Sequence, residues 1–370
     1  MDAGNLAWSV AATALVLFMT PGVAFFYGGL VKAKSVVSMM MMSFGALGLV
    51  SVLWILYGFN MSAVSSTWEF AGNPFSDFGL GGASSDTLVG ATFGATFAII
   101  TVALISGAIA DRARFGSWMI FAGVWATVVY FPVAAWVWGG GWIMGLGETL
   151  GFSTSVIDYA GGTAVHINAG AAALALALVL GKRIGFQKGI NKPHSVPLVM
   201  LGASILWFGW FGFNAGAEGT FNLLGTEDST VGLIIVNTLG ATAAAIIGWL
   251  IVEKFKDGKA TSVGAASGAV AGLVALTPAC ASLTPGWALL LGLVTGVICA
   301  FAIELKWKLG YDDSLDVVGV HLVGGLVGTL YLGFFATETG LFVGGNYEQI
   351  VLQLIAAVGV LVYSFVVAWI

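Results

Sequence analysis

Charged residues divide this chain into long uncharged segments. When the sequence is split at every Asp, Glu, Lys and Arg, ten runs remain that are each longer than one helix needs to cross a bilayer. Such a helix takes about 20 apolar residues, because each residue advances it by about 1.5 Å through roughly 30 Å of hydrocarbon. The ten runs are 3–31, 35–68, 87–110, 115–147, 159–181, 193–217, 229–252, 260–303, 317–337 and 349–370.

The run 260–303 is long enough for two helices. It is interrupted by Thr277-Pro278 and by Thr284-Pro285-Gly286, which favour turns and helix breaks. Dividing it there gives eleven helices. The sequence therefore predicts an all-α polytopic membrane protein with eleven transmembrane helices.

The basic residues test this count, because Lys and Arg collect in cytoplasmic loops. With eleven helices and the N-terminus outside, all 13 Lys and Arg residues fall in five loops on one side, which is then the cytoplasmic side. A single helix over 260–303 would place Lys306 and Lys308 on the opposite side. The C-terminus is accordingly predicted to be cytoplasmic. The five loops are 32–34, 111–114, 182–194, 253–259 and 304–316.

Composition excludes several classes of protein. The chain is 59% hydrophobic and 8% charged, whereas about 25% of residues are charged in a soluble domain. A net charge of −5 argues against binding to nucleic acid, and the high hydrophobicity argues against disorder. Cys280 and Cys299 are too few for a disulfide framework. No basic segment precedes the first apolar run, so the first helix is expected to be retained rather than cleaved as a signal peptide.

Short similarities suggest that helices one to five and six to ten are repeats. Phe26-Tyr27-Gly28-Gly29 corresponds to Phe213-Asn214-Ala215-Gly216, and the segment from Asp158 to His166 corresponds to that from Asp316 to His321. An odd number of helices in each half inverts the second half, as is typical of transport proteins. The prediction is one transporter domain, 1–370, with repeats 1–181 and 195–336 and a final helix 347–370.

Two histidines stand at matching places inside the predicted spans, His166 and His321. Ionisable residues within a membrane commonly mark ion or proton paths, although a purely structural hydrogen bond is the alternative. Zinc is not expected, because neither helix carries a third ligand at suitable spacing. Asp158 and Asp316 precede the two helices and are predicted to cap them. A second role for Asp158 at a cation entrance stays open.

Aromatic residues make up 13% of the chain. Trp136, Trp138 and Trp142 are expected in an interfacial belt, unless one of them offers its ring face to a cation. Phe93 and Phe97 are one helical turn apart and therefore share a face. That face either lines a path or packs against a neighbouring helix.

Four motifs together resemble those of the ammonium transporter family (Amt/Mep/Rh), and more closely its bacterial Amt branch than its Rhesus branch. The resemblance extends from helix one into helix eleven. The motifs are Asp158-Tyr159-Ala160-Gly161-Gly162-Thr163-Ala164-Val165-His166-Ile167-Asn168-Ala169-Gly170, Trp207-Phe208-Gly209-Trp210-Phe211-Gly212-Phe213-Asn214-Ala215-Gly216, Pro21-Gly22 with Phe25 to Gly29, and Gly319-Val320-His321.

The resemblance implies a homotrimer with one narrow pore through each subunit. By the family pattern, Trp138 and Phe97 form an outer recruitment site for ammonium, and Phe97 with Phe213 forms a stacked gate. His166 and His321 share a hydrogen bond along the lumen, and Asp158 supports the outer vestibule. Phe93 and Trp210 complete the expected substrate pathway.

One position departs from the family pattern. Many members carry a serine after Asn-Ala-Gly, where this chain has Ala217 followed by Glu218. The hydroxyl that would accept a hydrogen bond from bound ammonium is therefore missing. Weaker outer binding is expected.

The expected function is transport of ammonium or ammonia, with methylammonium as an analogue, across the cell membrane. A dry pore favours neutral ammonia because desolvation disfavours a charged amine, and histidine can relay the removed proton. The expectation includes no cofactor, no nucleic acid and a PII-family signal protein as a partner on the cytoplasmic face. The alternatives are an ammonium sensor or gas channel of the same fold and, in another class, a membrane enzyme using paired histidines, which no nucleophile, metal set or cofactor motif supports.

The loop assignment predicts opposite labelling of two single-cysteine variants. With both natural cysteines replaced, a cysteine at Asn191 should react with an impermeant maleimide only from the cytoplasm, and one at Asn73 only from outside. Intact and permeabilised cells provide the comparison. Labelling of both positions from the same side would contradict the eleven-helix count.

Overall fold

A computed structural model describes residues 1–187 and 192–370, which contain no strand beyond one isolated bridge between Ser65 and Trp68. Part of the basic loop 182–194, with Asn191, lies outside the described residues. Within the described residues, ten helices are long and apolar enough to span a membrane, and an eleventh apolar helix is shorter. They are α1 (Ala3–Leu30), α2 (Ala33–Met61), α3 (Ser85–Ile109), α4 (Phe115–Trp138), α5 (Gly162–Val179), α6 (Val196–Thr220), α7 (Val231–Asp257), α8 (Ser262–Leu276, the shorter one), α9 (Pro285–Leu309), α10 (Val318–Phe335) and α11 (Glu348–Trp369).

The predicted division of 260–303 into two helices is confirmed. Turns separate the end of α8 from Pro285, which begins α9 at the position where proline best fits a helix. Cys280 and Leu283 in this break are fully buried, so their carbonyl groups need hydrogen-bond partners. Asn237 of α7 supplies two of them by donating to the carbonyl oxygens of Cys280 and Leu283 at 2.9 and 2.8 Å.

Helices pair in corresponding ways in the two halves. In the first half α2 packs against α3 and α4, and in the second half α7 packs against α8 and α9. The first helices of the halves, α1 and α6, pack against each other along much of their length. The central helices α5 and α10 are also in contact, and α11 covers both. Two five-helix repeats with one added helix would produce this arrangement.

Glycines allow α1 and α6 to approach closely. A Cβ atom on Gly29 would lie 2.6 Å from the backbone nitrogen of Val199, and one on Gly22 would lie 2.9 Å from Ile205. Small residues at such crossings let helix backbones pack in lipid, where the hydrophobic effect does not drive helices together. The glycine-rich composition therefore serves helix packing.

Each central helix begins with a π-helical turn that carries a histidine. The turns are Gly162–Ile167, with His166, and Val318–Leu322, with His321. Five residues before each histidine the backbone is left-handed, with φ of 122° at Gly161 and 65° at Asp316. Single π turns are rare and are frequent at functional sites. The two halves therefore share a local geometry at the histidines.

The prediction that Asp316 caps α10 is wrong. The carboxylate of Asp313 accepts from Val318 N at 2.7 Å, whereas Asp316 forms an ion pair with Lys306. Asp316 occupies the left-handed position that Gly161 occupies in the first half, so its side chain points away from the helix start. The counterpart of Asp158 is therefore Asp313, and both stand eight residues before their histidine.

The loops that carry basic residues meet at one end of the molecule. Arg112 donates to the carbonyl oxygens of Gly181 and Asp312, and Arg183 binds the Asp312 carboxylate through Nη2 at 2.8 Å and Nε at 2.9 Å. Lys256 forms an ion pair with Glu304. These contacts join four of the five predicted loops. We call this end the basic end.

Helix packing predicts that Gly296→Ala will destabilise the protein. The added methyl group would overlap the carbonyl oxygen of Ala245 and force α7 and α9 apart, and overpacking of this kind costs about 1–3 kcal/mol. The melting temperature in detergent should fall. A matched variant, Gly48→Ala, places its methyl group in open space and should melt like the wild type; equal melting of the two variants would contradict the prediction.

Candidate functional site

Four cavities lie in series through the part of the chain that the structure describes. We name them the outer cavity, which opens opposite the basic end (about 370 Å³), the central cavity (about 10 Å³), the inner cavity (about 90 Å³) and the basic vestibule (about 680 Å³). Phe213 lines both the outer and the central cavity, His321 lines the central and the inner, and Asp316 lines the inner cavity and the vestibule. Together they mark one path from end to end.

Aromatic rings line the floor of the outer cavity. Phe97 stacks on Phe213 with ring centroids 4.1 Å apart and an interplanar angle of 21°. Trp138 stands nearly perpendicular to Phe97 at 6.1 Å, and Phe93 meets Phe97 edge to face at 4.9 Å. Trp138 is held by its indole nitrogen, which donates to the carbonyl oxygen of Asp158 at 2.8 Å. The stacked pair separates the outer cavity from the central one.

The two histidines lie directly below this pair. Their Nδ1 atoms are 3.3 Å apart, and both rings are buried. One Nδ1 must donate and the other accept, so the neutral rings adopt different tautomers. His166 Nε2 has no hydrogen-bond partner among the described residues. Trp210 stacks on His166 at 5.6 Å and 18° and is fixed by donating to Thr277 Oγ1 at 2.9 Å.

Asp158 holds the start of α5 rather than lining a cavity. Its carboxylate accepts from the backbone nitrogens of Gly161, Gly162, Thr163 and Ala164, at 2.8, 2.6, 2.8 and 3.2 Å, and from the Thr163 hydroxyl. Burial raises the pKa of Asp158 above its ordinary value, although these hydrogen bonds oppose the shift. At the matching position, burial also raises the pKa of Asp313, against the opposing charge of Lys306. Each carboxylate thus fixes the π turn that carries a histidine.

The position of the expected serine is part of the outer cavity. Ala217 lines it, and Glu218 beside it is almost completely buried. The Glu218 carboxylate accepts hydrogen bonds from the hydroxyls of Tyr159, Ser229 and Thr230 at 2.8, 2.9 and 2.7 Å. A fourth comes from the backbone nitrogen of Thr230 at 3.2 Å. Glu218 is therefore integrated into the wall of the cavity.

Sequence reasoning did not assign Phe26 and Tyr27 to the pathway. Both line the central and inner cavities, and the Tyr27 hydroxyl donates to the carbonyl oxygen of Leu104 at 3.0 Å. Phe26 occupies below the histidines the place that Phe213 occupies above them. The sequence did indicate this role for Phe26, because the comparison of the two repeats aligns Phe26 with Phe213.

Of the three tryptophans predicted in a belt, Trp136 does not fit. It is buried, donates to the carbonyl oxygen of Phe70 at 2.7 Å and packs on Tyr363. Trp142 remains exposed, as a belt residue would be. Helical spacing places Trp136 on the inward face of α4, which the composition of that helix does not reveal.

Comparison with known proteins identifies close relatives. Residues 7–370 match the model of the Ammonium Transporter Family. The chain is 50% identical to an "Ammonium transporter" of Mycobacterium tuberculosis, with 99% of this chain and 83% of that protein covered. The crystal structure of Candida albicans Mep2 superposes with a TM-score of 0.89 at 34% identity, covering 100% of this chain and 83% of that one.

A structure titled "Sensor Amt Protein" is also similar. It has a TM-score of 0.88 and 28% identity, with 99% of this chain and 91% of that chain covered. The matched family and the curated relatives are transporters and not enzymes. The alternative of a membrane enzyme using paired histidines is therefore wrong.

The cap geometry predicts that Asp158→Asn will weaken the fold. The asparagine oxygen can accept only some of the donors that converge on Asp158, and its amide hydrogens would face the remaining N–H groups. Unsatisfied buried groups cost about 1–3 kcal/mol, so the melting temperature in detergent should fall. The exposed Asp228→Asn supplies the control for loss of one charge. An Asp158→Asn protein as stable as this control would contradict the prediction.

Proposed function

The chain belongs to the ammonium transporter family, and we propose that it works in three stages along the path of cavities. Ammonium is recruited in the outer cavity, loses its proton at the stacked pair Phe97 and Phe213, and continues as ammonia past His166 and His321. The observation that carries this proposal is the stacking of the gate directly above a buried, hydrogen-bonded histidine pair.

Recruitment depends on ring faces at the outer cavity. Trp138 attracts a cation most strongly among aromatic side chains, and a cation–π contact is worth about 0.5–2 kcal/mol. Trp138 is positioned by its hydrogen bond to Asp158, and Phe97 stands perpendicular to it. A small cation between these rings loses part of its hydration shell and gains contact with the faces of the aromatic rings. Ala217 contributes no hydroxyl to this contact.

Deprotonation follows from the size and dryness of the central cavity. Its volume of about 10 Å³ is close to the lower limit for holding one water molecule. An ammonium-sized ion entering low dielectric without its hydration shell faces an idealised cost of order 20 kcal/mol. Neutral ammonia avoids most of this cost, and a potassium ion has no proton to release. Selection therefore takes place at the gate.

The histidine pair provides a route for the released proton. A proton added to one ring can pass through the Nδ1 contact to the other as the tautomers exchange. The Nε2 atom of His166 is buried and has no partner among the described residues, so it is available to a molecule in the central cavity. Ammonia moves along the same wall and is protonated again beyond His321, in the inner cavity or the basic vestibule.

The orientation, assembly and partners belong to the same proposal. The basic end faces the cytoplasm of a cell membrane, which places the N-terminus outside and the C-terminus inside. Exposed apolar side chains such as Ile120 and Phe208 suit contact with lipid or with neighbouring subunits of a homotrimer. A PII-family signal protein is proposed to bind at the basic end.

A sensor is the second candidate, because the structure titled "Sensor Amt Protein" shares this fold. A gas channel is the third. Proteoliposome measurements separate the three. Ammonium-driven current indicates the proposed transporter, ammonia flux without current indicates a gas channel, and binding with neither indicates a sensor.

The histidine relay predicts that a double variant, His166→Ala with His321→Ala, will lose ammonium-driven current. Neutral ammonia should still permeate, because it needs space and no proton carrier. Current and ammonia flux are measured in the same proteoliposomes, and assembly is checked by size.

The exposed loop histidine provides the control, since His194→Ala removes a ring that lines none of the four cavities. His166→Asp keeps a titratable group and should retain part of the current. A double alanine protein that assembles normally and keeps wild-type current and selectivity would reduce the pair to a structural hydrogen bond.

A further inference from the structure

We propose that Glu218 raises the affinity of the outer cavity for ammonium and that it acts through Tyr159. This inference rests on the recruitment stage of the proposed function. It makes Glu218 a positioning residue, whose charge is felt in the cavity through the side chain that it holds. It also explains how a cavity without a hydroxyl at Ala217 can recruit a cation.

The position of Glu218 is the first argument. It lies in the last turn of α6, between Ala217 and Thr220, which both line the outer cavity. Its own side chain turns away from the cavity and is 1% exposed. The carboxylate is therefore close to the cavity wall and shielded from bulk water.

The hydrogen bonds indicate a charged group. Four donors converge on the carboxylate, two on each oxygen. The Thr230 N–H can only donate, and the three hydroxyls can all turn their hydrogens toward the carboxylate, which in its ionised form accepts at about four lone-pair sites. No Lys, Arg or His of the described chain lies within ion-pair distance of Glu218. Its negative charge is consequently not neutralised locally.

The same hydrogen bonds exclude direct ligation of ammonium, because the acceptor sites are occupied. Tyr159 provides the link to the cavity. Its ring lines the outer cavity, and its hydroxyl donates to Glu218 Oε1 at 2.8 Å. A hydrogen bond to an ionised acceptor is stronger than a neutral one, and in low dielectric it polarises the donor.

Polarised in this way, the phenol ring becomes a better partner for a cation. The carboxylate charge adds a direct attraction that water screens little at this depth. Both effects act on any small monovalent cation. Glu218 therefore increases recruitment of ammonium, methylammonium and potassium alike, and the gate selects among them afterwards.

The first test is Glu218→Gln, which keeps the shape and removes the charge. The ammonium concentration giving half-maximal current in proteoliposomes should rise about three- to tenfold, while the maximal current stays near that of the wild type. Competition by external potassium should weaken in parallel. The control is Glu227→Gln, an exposed carboxylate in the loop that also carries Ser229, which should leave all three quantities unchanged.

A second pair of variants separates charge from structure. Glu218→Asp keeps the charge but shortens the side chain, so it should stay closer to the wild-type half-saturation than Glu218→Gln. Tyr159→Phe removes the link and should raise half-saturation by itself. In the double variant with Glu218→Gln, the two effects should not add. If Glu218→Gln fails to assemble, Tyr159→Phe alone decides the question.

The effect of ammonium on the melting temperature tests the role of Glu218 independently of the proposed histidine proton relay. Ammonium should raise the melting temperature of the wild type in detergent at lower concentrations than it does for Glu218→Gln. This shift needs no transport, so it would hold even if the histidine variants disproved the proton relay. The inference would be overturned if assembled Glu218→Gln or Tyr159→Phe kept the wild-type half-saturation and the wild-type ammonium-dependent shift in melting temperature. It would also be overturned if Glu218→Asp and Glu218→Gln lost the same amount of apparent ammonium affinity.

Discussion

An unpaired polar group is expensive inside a membrane, and this cost organises the centre of the molecule. The helices that carry His166 and His321 begin among buried residues, where their first N–H groups have no intrahelical partner. Asp158 and Asp313 supply acceptors for these groups. Each π turn is thereby fixed, and with it the direction of a histidine. The Nδ1 contact depends on both caps at once.

Close packing of the central helices completes this arrangement. A Cβ on Gly170 would lie 2.5 Å from the backbone nitrogen of Leu322, and one on Gly325 would lie 3.1 Å from His166 Cβ. Larger residues at these two positions would push α5 and α10 apart and move the two histidine rings out of contact. Aromatic side chains close the pair on two sides, with Phe213 above and Phe26 below. A narrow apolar cavity beside the two histidines is the consequence.

In the proposed mechanism, recruitment and selection make different demands and are separated in space. Attraction of a cation needs exposed ring faces and negative charge, which the outer cavity has in Trp138, Tyr159 and the buried Glu218. Selection needs the absence of both water and charge, and the apolar central cavity provides it. The stacked pair Phe97 and Phe213 stands between the two environments. A carboxylate inside the central cavity would stabilise any cation and would defeat the selection.

The sequence alone determined the eleven helices, the break before Pro285 and the gathering of basic residues at one end, because hydrophobicity and charge act through local composition. It also singled out the two histidines, since ionisable residues are rare in apolar spans. Only the tertiary structure assigned the second cap to Asp313, because the left-handed turn at Asp316 redirects that side chain. It likewise buried Trp136 and surrounded Glu218 with donors from Tyr159, Ser229 and Thr230. The burial of Trp136 and the contact of Glu218 with Tyr159 depend on residues far apart in the chain, and the cap at Asp313 depends on a positive φ at a residue other than glycine. Composition and spacing encode neither.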